Sequence, residues 1–265
     1  MVRSGSSKSL KKLPPAARLR ALRGRLAADS SVTVSGMAAD LGVSEMTIRR
    51  DMEKLAGTTD LRRTHGGAVV AERMVFEFNY LERQRGGLAR KKAIAAEARK
   101  LVSPGDRVIL DTGTTTLELA RLLKDSEGVT VITPSLAVAS ELQFCGSVSV
   151  VLLGGVLHRG SPDLTGPVTE HCLELFAADW VFQGAEGIGK DGSVYNIDLQ
   201  LARVDRLMRS KSARSCLLAD SSKVGITALV RTARLADFDV FITDAGVPAG
   251  FLRQARKAVR RVTVA

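Results

Sequence analysis

Six short runs between residues 107 and 244 constrain this chain more than anything else in it. They are RVILD at 107–111, VTVIT at 129–133, VSVVLL at 148–153, DWVFQG at 179–184, RSCLLAD at 214–220 and DVFITD at 239–244. Several are almost continuously apolar, as strands buried on both faces must be. Helical patterns alternate with them, which predicts an α/β domain around a mostly parallel sheet. We find no internal repeat.

The amino-terminal part follows a different rule. From Ala16 to Ala28, Leu19, Leu22 and Leu26 recur at three and four residues and predict an amphipathic helix, with Arg18, Arg20, Arg23 and Arg25 on its remaining faces. The β-branched run Val32-Thr33-Val34 precedes Ser35, an N-cap residue for a second helix whose Met37, Ala38 and Leu41 face inward and which Gly42 stops. Ser44 caps a third helix reaching about Ala56, with Ile48, Met52 and Leu55 at i, i+4 and i+7. Leu61 and RRTHGGAVV then read as two short strands around Gly66-Gly67. Helix, strand, helix, tight turn, helix and hairpin is the order of a winged helix-turn-helix. The expected organisation is a disordered basic tail at 1–14, a winged helix-turn-helix at 15–70, a linker at 71–90 and the α/β domain at 91–265.

Charge is uneven along the chain. The formal net charge is +11 over 265 residues, and residues 1–73 alone hold 14 Lys and Arg against 7 Asp and Glu. A basic excess concentrated at the end that carries a helix-turn-helix points to nucleic acid. No run approaches the roughly 20 apolar residues that cross a bilayer, and MVRSGSSKSLKKLPP lacks the apolar stretch of a secretory signal. The expectation is a cytoplasmic protein without a membrane partner. Cys145, Cys172 and Cys216 are widely spaced and odd in number, so buried free thiols are expected rather than disulfides; no metal and no cofactor are expected.

A helix that reads DNA needs one face for its own core and another for the groove. At about 100° per residue, Ile48, Met52 and Leu55 share one sector while Met46, Thr47, Arg49, Arg50 and Lys54 point elsewhere, Arg50 most nearly opposite the core. Arg50 can take a guanine edge bidentately or clamp a phosphate, Thr47 can touch a thymine methyl or a base edge, and the helix amino end near Ser44 sits where backbone phosphates are favoured; Ser35 and Glu45 are also expected DNA contacts. An isolated Arg-Arg pair is ordinarily a solvated helix face. Here a helix ending in Leu-Gly-Val-Ser precedes it, and a hairpin with Arg62, Arg63 and His65 follows, able to lie along neighbouring phosphates. His65 has no second ligand nearby and reads as a wing contact or a turn-stabilising hydrogen bond.

In the α/β part, RVILDTGTTTLELARLL runs from an apolar strand through Asp111, Gly113, Thr114, Thr115 and Thr116 into a helix. Such a junction holds a phosphate, because free amides and the helix dipole converge there; equally, the hydroxyls can simply cap the helix. LLGG with Gly154 and Gly155, GAEGIG with Glu186, and ADSSKVG with Lys223 each place Gly or a cation just after an apolar run, where ligands collect in open α/β sheets. Lys223 is a counter-charge for a phosphate or an ordinary surface lysine.

The run VTVSGMAADLGVSEMTIRRDMEKL followed by LRRTHGGAV resembles the amino-terminal signature of the DeoR family of bacterial regulators, and the later segments resemble, in the same order, the DeoR-type sensor domain. The resemblance implies a Rossmann-like α/β sensor related to sugar-phosphate isomerases, glucosamine-6-phosphate deaminase and CoA transferases. It implies a phosphorylated sugar as effector, touched by the DTGTTT loop and Lys223 with Arg159 near the rim, and a repressor of a sugar or related catabolic operon acting as a dimer or tetramer on operator DNA. GIGKDGSVYN at 187–196 looks like the deaminase active-site stretch, but Ser193 stands at its His and Ile197 at its Glu, so a binding fold without catalysis is expected. Glu186 stands where Asn, Asp or Ser is expected, and either alters effector choice or is solvated. The competing readings are a sugar-phosphate isomerase or deaminase with an attached DNA-binding domain, and a general nucleoid-type binder.

Overall fold

The computed structural model describes residues 14–29, 31–56, 61–64, 67–70, 80, 83–158 and 161–265. It divides into two compact units, residues 1–82 and 83–265. The unit boundary falls inside the stretch expected as a linker: residues 83–90 belong to the second unit, and Leu88 already opens a helix whose Lys91, Ile94 and Ala95 are buried.

The first unit contains α1 (Pro15–Asp29), β1 (Ser31–Thr33), α2 (Val34–Leu41), α3 (Glu45–Ala56), β2 (Leu61–Thr64) and β3 (Gly67–Val70). Its core is Leu22 from α1, Val34, Met37 and Ala38 from α2, and Ile48 and Met52 from α3. The side chains of Leu26 and Leu55 lie outside the described residues. Gly42 ends α2 at φ 62°, a left-handed turn that costs a glycine no Cβ clash, and the following Val43 N–H donates back to Ala38 O at 3.1 Å. β1, β3 and β2 form an antiparallel sheet in that order. One cap differs from expectation: Thr33, not Ser35, caps α2, its hydroxyl accepting from Gly36 N–H at 3.1 Å, because the helix begins two residues earlier and puts Ser35 inside it.

Periodicity also misplaces Arg18. Rather than facing water, it is buried against Asp51 of α3, with Nε 2.5 Å from Oδ2 and Nη2 3.2 Å from Oδ1. The short bidentate bond raises the Arg18 pKa, and the pair locks α1 to α3.

The second unit is built on a seven-stranded sheet in the order β15-β14-β12-β9-β4-β5-β6. These are Arg261–Val264, Val240–Thr243, Ser212–Leu218, Ala178–Gln183, Arg107–Leu110, Val129–Thr133 and Val148–Leu152. Every pairing in it is parallel, and the six expected runs are its first six strands in chain order. The helices are α4 (Leu88–Arg99), α5 (Thr114–Leu122), α6 (Leu136–Leu142), α7 (Pro167–Glu174), α8 (Leu199–Ser210) and α9 (Ala249–Ala258). Alternate strand residues go to opposite faces. Val108 and Leu110 join Ile94, Leu117 and Val138 in one core, whereas Ile109 joins Leu173, Val204 and Met208 in another. Covering both faces explains the unbroken apolar runs. A small antiparallel sheet, β10 (Gly187–Ile188), β11 (Ser193–Asn196) and β13 (Val230–Arg234), and the pair β7 (Val156–Leu157) and β8 (Leu164–Thr165) flank it. The chain thus joins a small helix-turn-helix unit to a larger Rossmann-like α/β unit.

Removing one member of a buried ion pair strands the other, at a cost of about 3–5 kcal/mol. Asp51→Ala is therefore expected to lower the thermal stability of the first unit by about 3 kcal/mol, measured by circular dichroism. Asp40→Ala, at an exposed position of α2, is expected to change it by less than about 0.5 kcal/mol; equal losses would refute the locking role.

Candidate functional site

α3 presents one side to its core and the other to solvent. Ser44 caps it, its Oγ accepting from Thr47 N–H at 3.3 Å and lying 2.9 Å from Thr47 Oγ1. Met46 is 60% exposed, Thr47 is half-buried, and Arg49, Arg50 and Lys54 are exposed, while Ile48, Asp51 and Met52 are buried. Arg49 contacts Glu45 one turn earlier at 3.4 Å, a pair too exposed to hold either side chain firmly. Arg50 projects from the side of the helix opposite Ile48. Ser35 is exposed in the first turn of α2. Arg62 and Arg63 are on β2, opposite Val69 and Ala68 of β3, and His65 lies outside the described residues. The exposed arc of α3 can therefore enter a groove while its buried arc stays fixed to α1 and α2.

In the second unit, sheet order defines where a ligand can sit. From β4 the chain proceeds through β5 to β6 at one edge, then returns to β9 on the other flank of β4. The connections leave β4 and β9 in opposite directions, and the crevice between their carboxyl ends is the topological switch point at which open α/β sheets bind ligands. Asp111 leaves β4 and Gly184 leaves β9 at that place. The Asp111 carboxylate accepts from Gly184 N–H at 2.9 Å and from Thr112 N–H at 2.7 Å, and Asp111 N–H donates to Phe182 O at 3.1 Å. Gly113 and Gly184 face each other so closely that a Cβ on either would lie 3.8 Å from the other's Cα.

The three threonines after Gly113 differ in role. Thr116 is fully buried, its hydroxyl 2.8 Å from Asp111 O and 2.6 Å from Gly113 O, so it closes the loop rather than facing outward. Thr115 is buried and Thr114 half-buried. No side-chain cap comes from Gly113, which leaves the amides of the first turn of α5 directed at the crevice. Gly154 and Gly155 follow β6. Their small size serves packing on α7: Gly154 O accepts from Thr169 Oγ1 at 2.7 Å, and a Cβ on Gly155, at φ 146°, would meet that oxygen at 2.0 Å. Arg159 lies outside the described residues.

Glu186 is not a solvated carboxylate. One oxygen accepts from Arg83 Nη1, and the other lies 3.3 Å from Lys223 Nζ. Burial alone would raise its pKa, but Lys223 and Arg83 outweigh that cost and hold it below the usual carboxylate value. Lys223 ends a short helical turn capped by Asp220, whose carboxylate accepts from Ser222 N–H at 2.8 Å. Lys91 on α4 donates to Arg83 O, and burial lowers its pKa.

Residues that sequence reasoning left unassigned complete the site. Arg83 and Lys91 fall at or beside the stretch expected as a linker, and Asp163 and Asp205 carry no motif. Asp205 accepts from Asn196 Nδ2 at 2.8 Å, and burial, with Asp111 and Asp163 nearby, pushes its pKa well up. Asp111 is likewise raised by burial, against its backbone hydrogen bonds. Asp163 is 4% exposed, and its Oδ1 has no hydrogen-bond partner among the described residues. Only the tertiary fold gathers these groups, which come from separate helices and loops. The stretch GIGKDGSVYN forms the β10–β11 turn, where Ser193 is buried and bonds Asp191 at 2.8 Å, a turn-holding role and not proton transfer.

Burial raises the Asp163 pKa from 3.8 to about 7. The folded state therefore keeps a proton that the unfolded chain has lost, so the contribution of Asp163 to stability falls as pH rises from about 4 to about 7 and is level above that. Asp163→Asn cannot ionise. It is expected to be more stable than the unchanged chain at pH 8, by on the order of 2–4 kcal/mol, and equally stable near pH 4. Melting curves at both pH values check this, and a gain at pH 4 as large as at pH 8 would refute it.

Residues 18–74 match the DeoR-like helix-turn-helix domain, and residues 88–245 match the DeoR C terminal sensor domain. The chain is 36% identical over 234 residues to the HTH-type transcriptional regulator YulB of Bacillus subtilis, covering 88% of this chain and 90% of that one. It is 33% identical to a putative aga operon transcriptional repressor of Escherichia coli O157:H7, covering 88% of each. It is 32% identical to the glycerol-3-phosphate regulon repressor of Haemophilus influenzae, covering 83% of this chain and 86% of that one. Among solved structures, a ribose-5-phosphate isomerase in complex with phospho-erythronic acid aligns over 51% of this chain and 52% of its own, at 16% identity and TM-score 0.38. The Pyrococcus horikoshii initiation factor eIF-2B aligns over 83% and 78%, at 18% identity and TM-score 0.42. No helix among the described residues is long and apolar enough to cross a membrane. With both domains matched in order and full-length relatives above 30% identity, the chain belongs to the DeoR family and is a DNA-binding transcriptional regulator, not an enzyme.

Proposed function

We propose that this regulator is a repressor of a sugar or related catabolic operon and leaves its operator when a phosphorylated sugar metabolite binds at the β4–β9 switch point. The observation that carries the reading is the convergence, at one strand-end crevice, of the uncapped amino end of α5 with Lys223 and Arg83. Amides and cations together recognise a phosphate, and Asp111 and Asp163 at the same place suit hydroxyl groups. Relatives named for an aga operon and a glycerol-3-phosphate regulon are consistent with such a ligand.

On the DNA side, Met46, Thr47, Arg49, Arg50 and Lys54 form the reading surface of α3, with Ser35, Ser44 and Glu45 beside it and Arg62, Arg63 and His65 on the wing. One small unit holds few phosphates, so useful affinity needs two or more units on successive half-sites, in a dimer or tetramer. The effector acts by binding one quaternary arrangement better than another, and the arrangement it favours no longer matches successive major grooves.

Arg50→Ala is expected to weaken operator binding by about 1–3 kcal/mol, on the order of 10- to 100-fold, in a mobility-shift titration at fixed salt with the fold intact by circular dichroism. Unchanged affinity would remove Arg50 from the groove. Lys223→Ala is expected to keep operator affinity while raising the sugar-phosphate concentration needed for release at least tenfold, in the same assay with a panel of hexose and pentose phosphates. Release by the panel at unchanged concentrations would remove Lys223 from the site.

A further inference from the structure

The cations of the proposed effector site are already engaged. Arg83 and Lys223 approach from different parts of the unit, and Glu186 joins them through separate carboxylate oxygens. Two oxygens of one anionic group, held one on each cation, is also how a phosphate or a carboxylate of a ligand would sit between them.

The side chain that does this is placed to move. Glu186 stands in the loop after β9, and its backbone is held independently, its N–H donating to Tyr195 O at 3.1 Å. The carboxylate can therefore swing out by side-chain rotation while the loop keeps its path. Glu186 and Lys223 side chains are each 26% exposed and Arg83 is 35% exposed, so all three reach solvent from the crevice. A buried structural ion pair would be closed over, as Arg18–Asp51 is.

We propose that Glu186 is an internal anion occupying the ligand's place, and that the effector must be an anionic metabolite whose charged group displaces Glu186 from Arg83 and Lys223. The proposal rests on the effector-site reading above and adds its competitor. It makes Glu186 the residue that sets the ligand class. An uncharged sugar offers the two cations nothing in exchange for the carboxylate and leaves the triad closed. An anion replaces like with like and opens it. The Arg83 carbonyl also accepts from Lys91, so the exchange of partners takes place beside the start of α4.

The test uses the full chain, inorganic phosphate as probe and Glu186→Gln, which keeps the side-chain shape without the charge. In low-salt buffer free of phosphate, Glu186→Gln is expected to melt at lower temperature, because two cations have lost their anion. Phosphate is expected to restore its melting temperature, with half-effect at a concentration at least tenfold below that needed to shift the unchanged chain. The double variant Glu186→Gln with Lys223→Ala is expected to lose that gain, which ties the effect to this seat rather than to general screening; sodium chloride at equal ionic strength is the control. Equal phosphate response in Glu186→Gln and the unchanged chain would overturn the proposal, as would a gain that sodium chloride reproduces. If Glu186→Gln fails to gain while sugar phosphates still release DNA in a Lys223-dependent way, the internal competitor is wrong and the effector site stands. If sugar phosphates release no DNA from the unchanged chain and Lys223→Ala behaves identically, the effector site itself is wrong.

Discussion

The Asp111 carboxylate is the pin on which the sensor unit turns. It sits where β4 ends, and through Gly184 N–H it ties that end to the end of β9, its parallel neighbour across the point where the strand order reverses. A buried carboxylate is costly, and burial pushes this one towards its neutral form; three hydrogen bonds from Thr112 and Gly184 are what make the position tolerable. The return is geometric. With both loops held against each other through Gly113 and Gly184, the amides of α5, the Glu186 side chain and Lys223 are brought to one crevice by elements far apart in sequence. None of those elements carries the site alone, and each depends on the parallel sheet being covered on both faces.

The DNA-binding unit solves its own positioning problem with the same economy. A recognition helix has to give its polar arc to solvent, so it can offer its neighbours only a narrow apolar strip, which includes Ile48 and Met52 among the described residues. A strip that thin leaves the helix free to roll. The Arg18–Asp51 pair adds a directional contact between α1 and α3, which fixes rotation about the helix axis and with it the heading of Arg50. An ion pair is better suited to this than another leucine, since dispersion contacts tolerate a roll that a bidentate hydrogen-bonded pair does not.

Much of this was legible from residues alone, and the exceptions share a cause. Continuous apolar runs reveal strands buried on both faces, so β4, β5, β6, β9, β12 and β14 could be read directly. β15 could not: RVTV at the sheet edge pairs with β14 only and is half-exposed, so its composition lacks the apolar excess. The amphipathic stripes of α1 to α3 were readable, but period-based reading sends every Arg to water and so misplaced Arg18. Likewise a capping hydroxyl at Ser35 was plausible locally, and the one that acts, Thr33, is chosen by where β1 releases the chain. In the sensor unit the DTGTTT loop and Lys223 stood out as phosphate-type motifs, whereas Arg83, Asp163 and Asp205 did not. Their relevance comes from strand order, and strand order is a long-range property with no local signature.

The Glu186 triad shows why a motif read in isolation overstates what is available to a ligand. Lys223 after an apolar run looks like an open counter-charge, and in the folded chain it already has one. A regulator differs from an enzyme in what it needs from such a site. An enzyme gains from a seat that is empty and pre-organised for a transition state. A switch needs two states close in free energy, with the ligand tipping the balance. An internal carboxylate that satisfies the cations without ligand brings the empty state close to the filled one, so that a metabolite at ordinary concentrations can decide between them. Under the proposal made above, such a triad weakens ligand binding and makes the response depend on ligand charge, as sensing an anionic metabolite would require.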